Sequence, residues 1–182
     1  MVSWAWKEGG WLFELGFADL AGSGVVHGVG GTAALVGAKI LGPRIGRFDE
    51  DGNSNPIPGH NVPLAVLGVF ILLVSWFAFN SGSLLSADIQ LGAVATVTAL
   101  GAAFGGLGGT MATWLTLKVP DVTLIGNGVL GGLVAITGGA LNFNIFAGMI
   151  VGAIGGVIAT TGVLLLDRIK ICLLYTSPSP RD

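Results

Sequence analysis

Residues 21–43 read AGSGVVHGVGGTAALVGAKILGP, an apolar run that carries one histidine, His27, among valines, glycines and alanines. A hydrocarbon core about 30 Å thick needs roughly 20 apolar residues as helix, and this run is long enough. An ionisable group inside such a run is costly and points by default to a pathway through the membrane. If the helix starts near Asp19, His27 lies eight residues further on. At 1.5 Å per residue that is about 12 Å inward, close to the midplane. Asp19 stays at the mouth, where its direct physical role is to cap the helix at the positive end of its dipole, and where its charge would also attract cations. Two readings of His27 stay open: a packed histidine bonded to a neighbouring helix, or a polar group lining a pore. In both, the imidazole has no partner within its own segment, and Gly24 with Gly28 predicts that another helix comes close.

The rest of the chain extends this reading. Of its 182 residues 52% are hydrophobic and 10% charged, with a mean hydropathy of +0.83. A soluble domain is about one quarter charged, so this is a membrane protein. Further uncharged runs occupy 62–87, 89–117 and 122–166; the last is too long for one span, and Asn142-Phe-Asn144 supplies a polar turn that divides it. The fold class is therefore all-α, a polytopic membrane bundle of about five transmembrane helices. If the first span runs from outside to inside, Lys39, Arg44, Arg47, Lys118, Arg168 and Lys170 fall inside and only Lys7 outside, as the enrichment of cytoplasmic loops in basic residues requires.

One cysteine excludes a disulfide framework and a cysteine metal site, and neither a metal nor a cofactor is expected. The net charge of −2 argues against a nucleic-acid partner. No nucleophile with a nearby base is evident, so an enzyme is not expected.

Residues 42–61 form the one substantial loop, cytoplasmic in this orientation, where Pro43, Pro56 and Pro58 oppose helix and Asp49-Glu50-Asp51 keeps the segment wet. His60, at the end of that loop, is expected to be a capping or surface residue. Glycines recur every four residues at Gly24 and Gly28, at Gly101, Gly105 and Gly109, at Gly128 and Gly132, and at Gly148, Gly152 and Gly156. On a helix such spacing makes a smooth stripe along which a neighbouring backbone can approach, so a tightly packed bundle follows.

The second span ends in SWFAFNSGSLLS, residues 75–86, which brings Phe79, Asn80 and Ser83 to the outer face. Phe79 and Ser83 are one turn apart and share a helix side. Aromatic rings stabilise a small cation, and a hydroxyl can accept a hydrogen bond from it, so Trp6 or Trp11 with Ser83 would make a weak cation site above a phenylalanine plug. The competing reading of the tryptophans is an ordinary interfacial belt. Below Phe79 nothing visible pairs with a full positive charge, which suits a neutral molecule formed from an ion that sheds a proton. Ammonium is such an ion.

These residues resemble the ammonium transporter family (Amt, Mep and Rh proteins). FADLAGSGVVHGVGGTAALVGA at 17–38 is similar to the family's fifth transmembrane helix, and LGPRIGRF at 41–48 to the loop after it. GHNVPLAVLGVFIL and SWFAFNSGS resemble the sixth helix, and NGVLGGLVAITGG at 127–139 the eighth. Ser75 and Ala78 depart from glycines usual in the sixth-helix motif. The resemblance implies a trimer of eleven-helix subunits in which residues 1–171 supply about helices five to nine as a partial transporter domain. By the same resemblance His27 matches the first of two pore histidines, Asp19 the aspartate supporting an outer recruitment site, Ser83 that site's serine, Phe79 one ring of a double-phenylalanine gate, and Trp6 the site's tryptophan, with Trp11 as the alternative.

The implied function is ammonium transport: ammonium is recruited outside and ammonia passes a histidine-lined hydrophobic pore. An ammonium sensor with an Amt-like core and an Rh-type gas channel are the alternatives. Implied partners are ammonium or ammonia, membrane lipid, two further copies of the chain in a homotrimer, and a PII-type regulatory protein on the cytoplasmic side. The implied location is the plasma membrane, the cell inner membrane in a bacterium, as a multi-pass protein. Residues 172–182, CLLYTSPSPRD, abandon the pattern and are read as a non-family tail, similar to sequencing-adapter read-through.

Overall fold

A computed structural model describes residues 1–51, 53–55, 57 and 59–171; the tail expected at 172–182 and the loop residues Gly52, Pro56 and Pro58 lie outside them. Two short helices, α1 (Val2–Ala5) and α2 (Trp11–Glu14), precede a π-helical turn, Ser23–Gly28, that runs directly into α3 (Val29–Leu41). The long helices α4 (Val62–Gly82) and α5 (Gln90–Leu117) follow, then α6 (Val122–Thr137) and α7 (Ile145–Arg168). Among the described residues the one strand-like feature is a single bridge between Phe48 and Ser54. Among the described residues four helices are long and apolar enough to cross a membrane: Ser23–Leu41, Val62–Gly82, Gln90–Leu117 and Ile145–Arg168. The fifth apolar helix, α6, is shorter, at 16 residues.

The all-α membrane bundle expected from the sequence is thus the architecture observed, with its helix limits adjusted by local chemistry. The run 122–166 does divide in two, but the break is wider than Asn142-Phe-Asn144. Helix α6 stops at Thr137, and Phe143 folds back so that a Cβ at Gly139 would lie 2.6 Å from its Cε2 atom. Asn144 then caps α7 by accepting from the amide of Ala147 at 2.8 Å. At its other end α6 is capped by Asp121, whose Oδ1 accepts from the Thr123 hydroxyl (2.6 Å) and from the amides of Thr123 (2.8 Å) and Leu124 (3.0 Å). These bonds, led by the Thr123 hydroxyl and then the Leu124 amide, hold the Asp121 carboxyl below its ordinary range.

Helices α5, α6 and α7 form the body of the molecule, and their glycine stripes are its seam. A Cβ at Gly105 would lie 2.6 Å from the carbonyl oxygen of Gly128 and 2.8 Å from the Cα of Gly132. One at Gly152 would lie 2.7 Å from the Cα of Gly101. Backbone meets backbone at both places, so no side chain fits. The stripe at Gly24 and Gly28 behaves differently. A Cβ at Gly28 would meet only the Ser23 carbonyl, at 3.5 Å, and Gly24, Gly28, Thr32, Val36 and Ile40 line an open groove of about 900 Å³. Among the described residues no helix packs against these two glycines, so the space for a close helix is open. Their spacing allows an approach but supplies no partner.

Buried polar groups in the body are satisfied internally. The hydroxyls of Thr98, Thr113 and Thr137 donate back to the carbonyls of Val94, Thr110 and Leu133, and that of Thr160 crosses to the Leu124 carbonyl on α6. Where the start of α5 meets the end of α6, Val94, Val97, Ile136 and Ala140 make a small apolar core.

The 42–61 loop is tied to the end of α7. Arg47 pairs with Asp167 at 2.5 Å, and the Ser54 hydroxyl donates to the other Asp167 oxygen at 3.0 Å. His60 is exposed; the cap of α4 is its neighbour Asn61, which accepts from the amide of Leu64 at 2.9 Å.

Candidate functional site

Asp19 stands at the start of the π turn that carries His27. It is buried, and its carboxylate reaches forward to four consecutive amides: Oδ1 accepts from Gly22 (2.8 Å) and Ser23 (2.9 Å), Oδ2 from Gly24 (2.9 Å) and Val25 (2.9 Å). The amides that open a helix have no partners within it, and a negative charge there is favourable. The carboxylate can reach them because Gly22 adopts φ +108°, a left-handed conformation that folds the chain over it. The helix accordingly starts at Ser23, later than the expected start near Asp19, and as a π turn in which the His27 amide donates to the Gly22 carbonyl at 2.9 Å. The extra residue in that turn resets the face on which His27 emerges. Both Asp19 oxygens are occupied by these amides, so the capping role expected of it is the one its geometry serves.

The backbone of Asp19 also holds Trp6, whose Nε1 donates to its carbonyl oxygen at 2.5 Å. Trp11 instead packs near Trp4, with ring centroids 6.0 Å apart. The π turn is fastened to α6 by Ser23, whose hydroxyl donates to the Val134 carbonyl (2.6 Å) and accepts from the Gly138 amide (2.6 Å).

His27 meets α4. Its imidazole stacks on Trp76 with centroids 5.1 Å apart and planes 18° from parallel, and Phe79 tilts against both rings at 5.8 Å. The imidazole Nε2 is buried and has no hydrogen-bond partner. Trp76 is itself fixed, its Nε1 donating to the Thr137 hydroxyl on α6 at 2.8 Å. Phe79 keeps 41% of its surface exposed. Ser83 donates to the Phe79 carbonyl at 2.7 Å, which spends its hydrogen and leaves its lone pairs free to accept.

The structure therefore brings His27 together with Phe79, and Asp19 with Trp6, while no hydrogen bond joins Trp6 to Ser83. Asn80, next to Phe79 at the same end of α4, is fully buried against α5, where its amide donates to the Thr98 hydroxyl at 3.0 Å. Sequence reasoning missed Trp76 and Thr137. Trp76 stands three residues before Phe79, a helical neighbour spacing, and that was the available signal. Among the described residues no group of three His, Cys, Asp or Glu side chains is placed to hold a metal ion.

A model described as the Ammonium Transporter Family matches residues 1–172. The chain belongs to the ammonium transporter family. It is 43% identical to the ammonium transporter Amt2 of Archaeoglobus fulgidus over 176 residues, which cover 91% of this chain and 37% of that protein. Among solved structures, one named Sensor Amt Protein superposes with a TM-score of 0.87 at 39% identity, covering 92% of this chain and 43% of its own. Mep2 of Saccharomyces cerevisiae superposes with a TM-score of 0.80 at 32% identity, covering 92% and 38%. The chain thus spans well under half the length of the ammonium transporter relatives it matches. Family membership and the apolar helices make it a multi-pass integral membrane protein.

Proposed function

We propose that this chain carries the outer site and half of the pore lining of an ammonium transporter, recruiting ammonium outside and passing ammonia inward along His27. The observation that carries the reading is the buried, unpartnered Nε2 of an imidazole packed against the rings of Trp76 and Phe79, in a chain of this family. A charged ion would lose its hydration in such surroundings with no counter-charge in return, whereas neutral ammonia needs one polar atom to bond to and little else. Trp6 offers a ring face and Ser83 its lone pairs to the cation before it sheds its proton at Phe79. Asp19 supports this site indirectly, by ordering Trp6 through its carbonyl and the His27 turn through its carboxylate.

The same reading includes a homotrimer in the plasma membrane, with the cytoplasmic loop and its Arg47–Asp167 pair facing a regulatory protein of the PII type. Transport fits the site better than catalysis, and the similarity to a protein named Sensor Amt favours ammonium sensing as the second reading. An Rh-type gas channel is less well supported, since the tryptophan-bearing segment and AGSGVVH favour the Amt branch and the relatives it resembles bear Amt names.

Ammonium uptake by cells whose own transporters are deleted tests the proposal with the full-length chain. The wild type is expected to restore uptake, and His27→Ala to reduce it about tenfold or more, the scale of one well-placed buried hydrogen bond. Undiminished, selective uptake by His27→Ala would sink the pore role. Binding of ammonium without uptake would favour the sensor.

A further inference from the structure

We propose that Thr137 is a positioning residue for His27, acting through Trp76. The functional consequence rests on the transport reading above; the positioning itself does not.

An indole N–H can only donate, so the Thr137 hydroxyl must accept from Trp76, and its own hydrogen then goes to the Leu133 carbonyl at 2.7 Å. Both capacities of this fully buried hydroxyl are committed. Trp76 is consequently held at two ends, by its Cβ on α4 and by its Nε1 on α6, which sets the plane of the indole. The imidazole of His27 has no hydrogen bond at Nε2 to set its own plane and lies 18° from parallel to that indole. The orientation of the pore-lining nitrogen therefore passes from α6 through Thr137 and Trp76 to His27. Removing the hydroxyl leaves an indole donor unsatisfied in an apolar interior, and the ring is expected to turn to find a partner. Thr98 has the same local geometry, donating to Val94 and accepting from Asn80, and provides a control.

The experiment uses the full-length chain in lipid vesicles, with tryptophan labelled at the indole nitrogen and histidine at the ring nitrogens. Magnetic resonance reads the two side chains, and ammonium influx reads their consequence. Thr137→Val is expected to move the Trp76 and His27 signals and to lower the maximal influx rate about five- to tenfold, with little change in KM, as befits one neutral buried hydrogen bond. Thr137→Ser should restore both, and Thr98→Val should leave the Trp76 signal in place. Trp76→Phe combined with Thr137→Val should be no worse than Trp76→Phe alone, because residues acting through one contact are not additive. Should Thr137→Val fail to fold, Trp76→Phe removes the same donor and keeps an aromatic face, so displacement of the His27 signal in that variant carries the test. Unmoved His27 signals, failure of serine to rescue, or additive losses in the double variant would each overturn the proposal. If the wild type admits no ammonium while both signals respond as described, the transport reading fails and the positioning stands.

Discussion

The body formed by α5, α6 and α7 and the wall formed by α3 and α4 are both apolar helices, yet they are held by opposite means. In the body, backbone packs on backbone, as at Gly105 against Gly128 and Gly132, and the buried threonine hydroxyls of α5, α6 and α7 find carbonyl partners. The wall meets the body through a few directed bonds, from Ser23 to α6, Trp76 to Thr137 and Asn80 to Thr98. It leaves Phe79 half open, an apolar groove along α3, and the Nε2 of His27 without a partner. Dense packing makes a rigid support; sparse, directed contacts leave polar atoms and ring faces available to something that passes.

The comparison is broken most severely at Asp19. Its carboxylate is the acceptor for four amides in a buried turn, so Asp19→Ala orphans all of them. A loss of about 3–5 kcal/mol is expected, from charge-assisted bonds of about 1.5–3 kcal/mol each that do not add fully. Asp19→Asn keeps one acceptor oxygen and should lose about half as much. The measurement is the thermal unfolding midpoint of the purified chain in detergent. An unchanged midpoint for Asp19→Ala would show that the turn is held by its contacts to α6 alone.

A smaller effect tests the body. Gly105→Val would force its side chain into the backbone of α6 and is expected to cost about 2–3 kcal/mol. Gly37→Val on α3, where a Cβ meets nothing within 4 Å, should change stability by no more than about 0.5 kcal/mol. Equal losses at the two positions in the same unfolding assay would erase the distinction between body and wall.

What could be read from the sequence divides along the same line. Glycines at a four-residue spacing announced the body, because the constraint there is periodic and each helix carries its own share of it. The same spacing at Gly24 and Gly28 states that a backbone may approach and not which one does, and among the described residues no helix packs there. His27 stood out because a titratable group is conspicuous among apolar residues. Trp76 and Thr137 did not, because their bond joins residues 61 positions apart, and a tryptophan in an apolar helix reads as an interfacial anchor. The π turn was illegible for a related reason: it depends on one carboxylate reaching amides three to six residues ahead, which periodicity does not encode.

The smallest effect compares the two capping carboxylates themselves. Asp121 caps the body at the start of α6 and, unlike Asp19, is only half-buried and holds two amides and one hydroxyl through a single oxygen. Those bonds favour its charged form, so its carboxyl in the folded chain titrates below the ordinary 3.8. A carboxyl lowered on folding contributes stability that is complete above the unfolded pKa and disappears as pH falls through the folded one. Stability attributable to Asp121 should therefore be flat from neutral pH down to about pH 5 and decline only below about pH 4. Asp121→Ala is expected to cost about 1 kcal/mol at neutral pH and to remove that acid decline, while Asp121→Asn, an equally good cap, should lose little and also be insensitive to acid. Unfolding midpoints of the three chains at neutral and acid pH check this. A decline of equal size in all three would place the acid sensitivity elsewhere, and the cap of the body would then depend on the Asp121 charge as little as its packing depends on side chains.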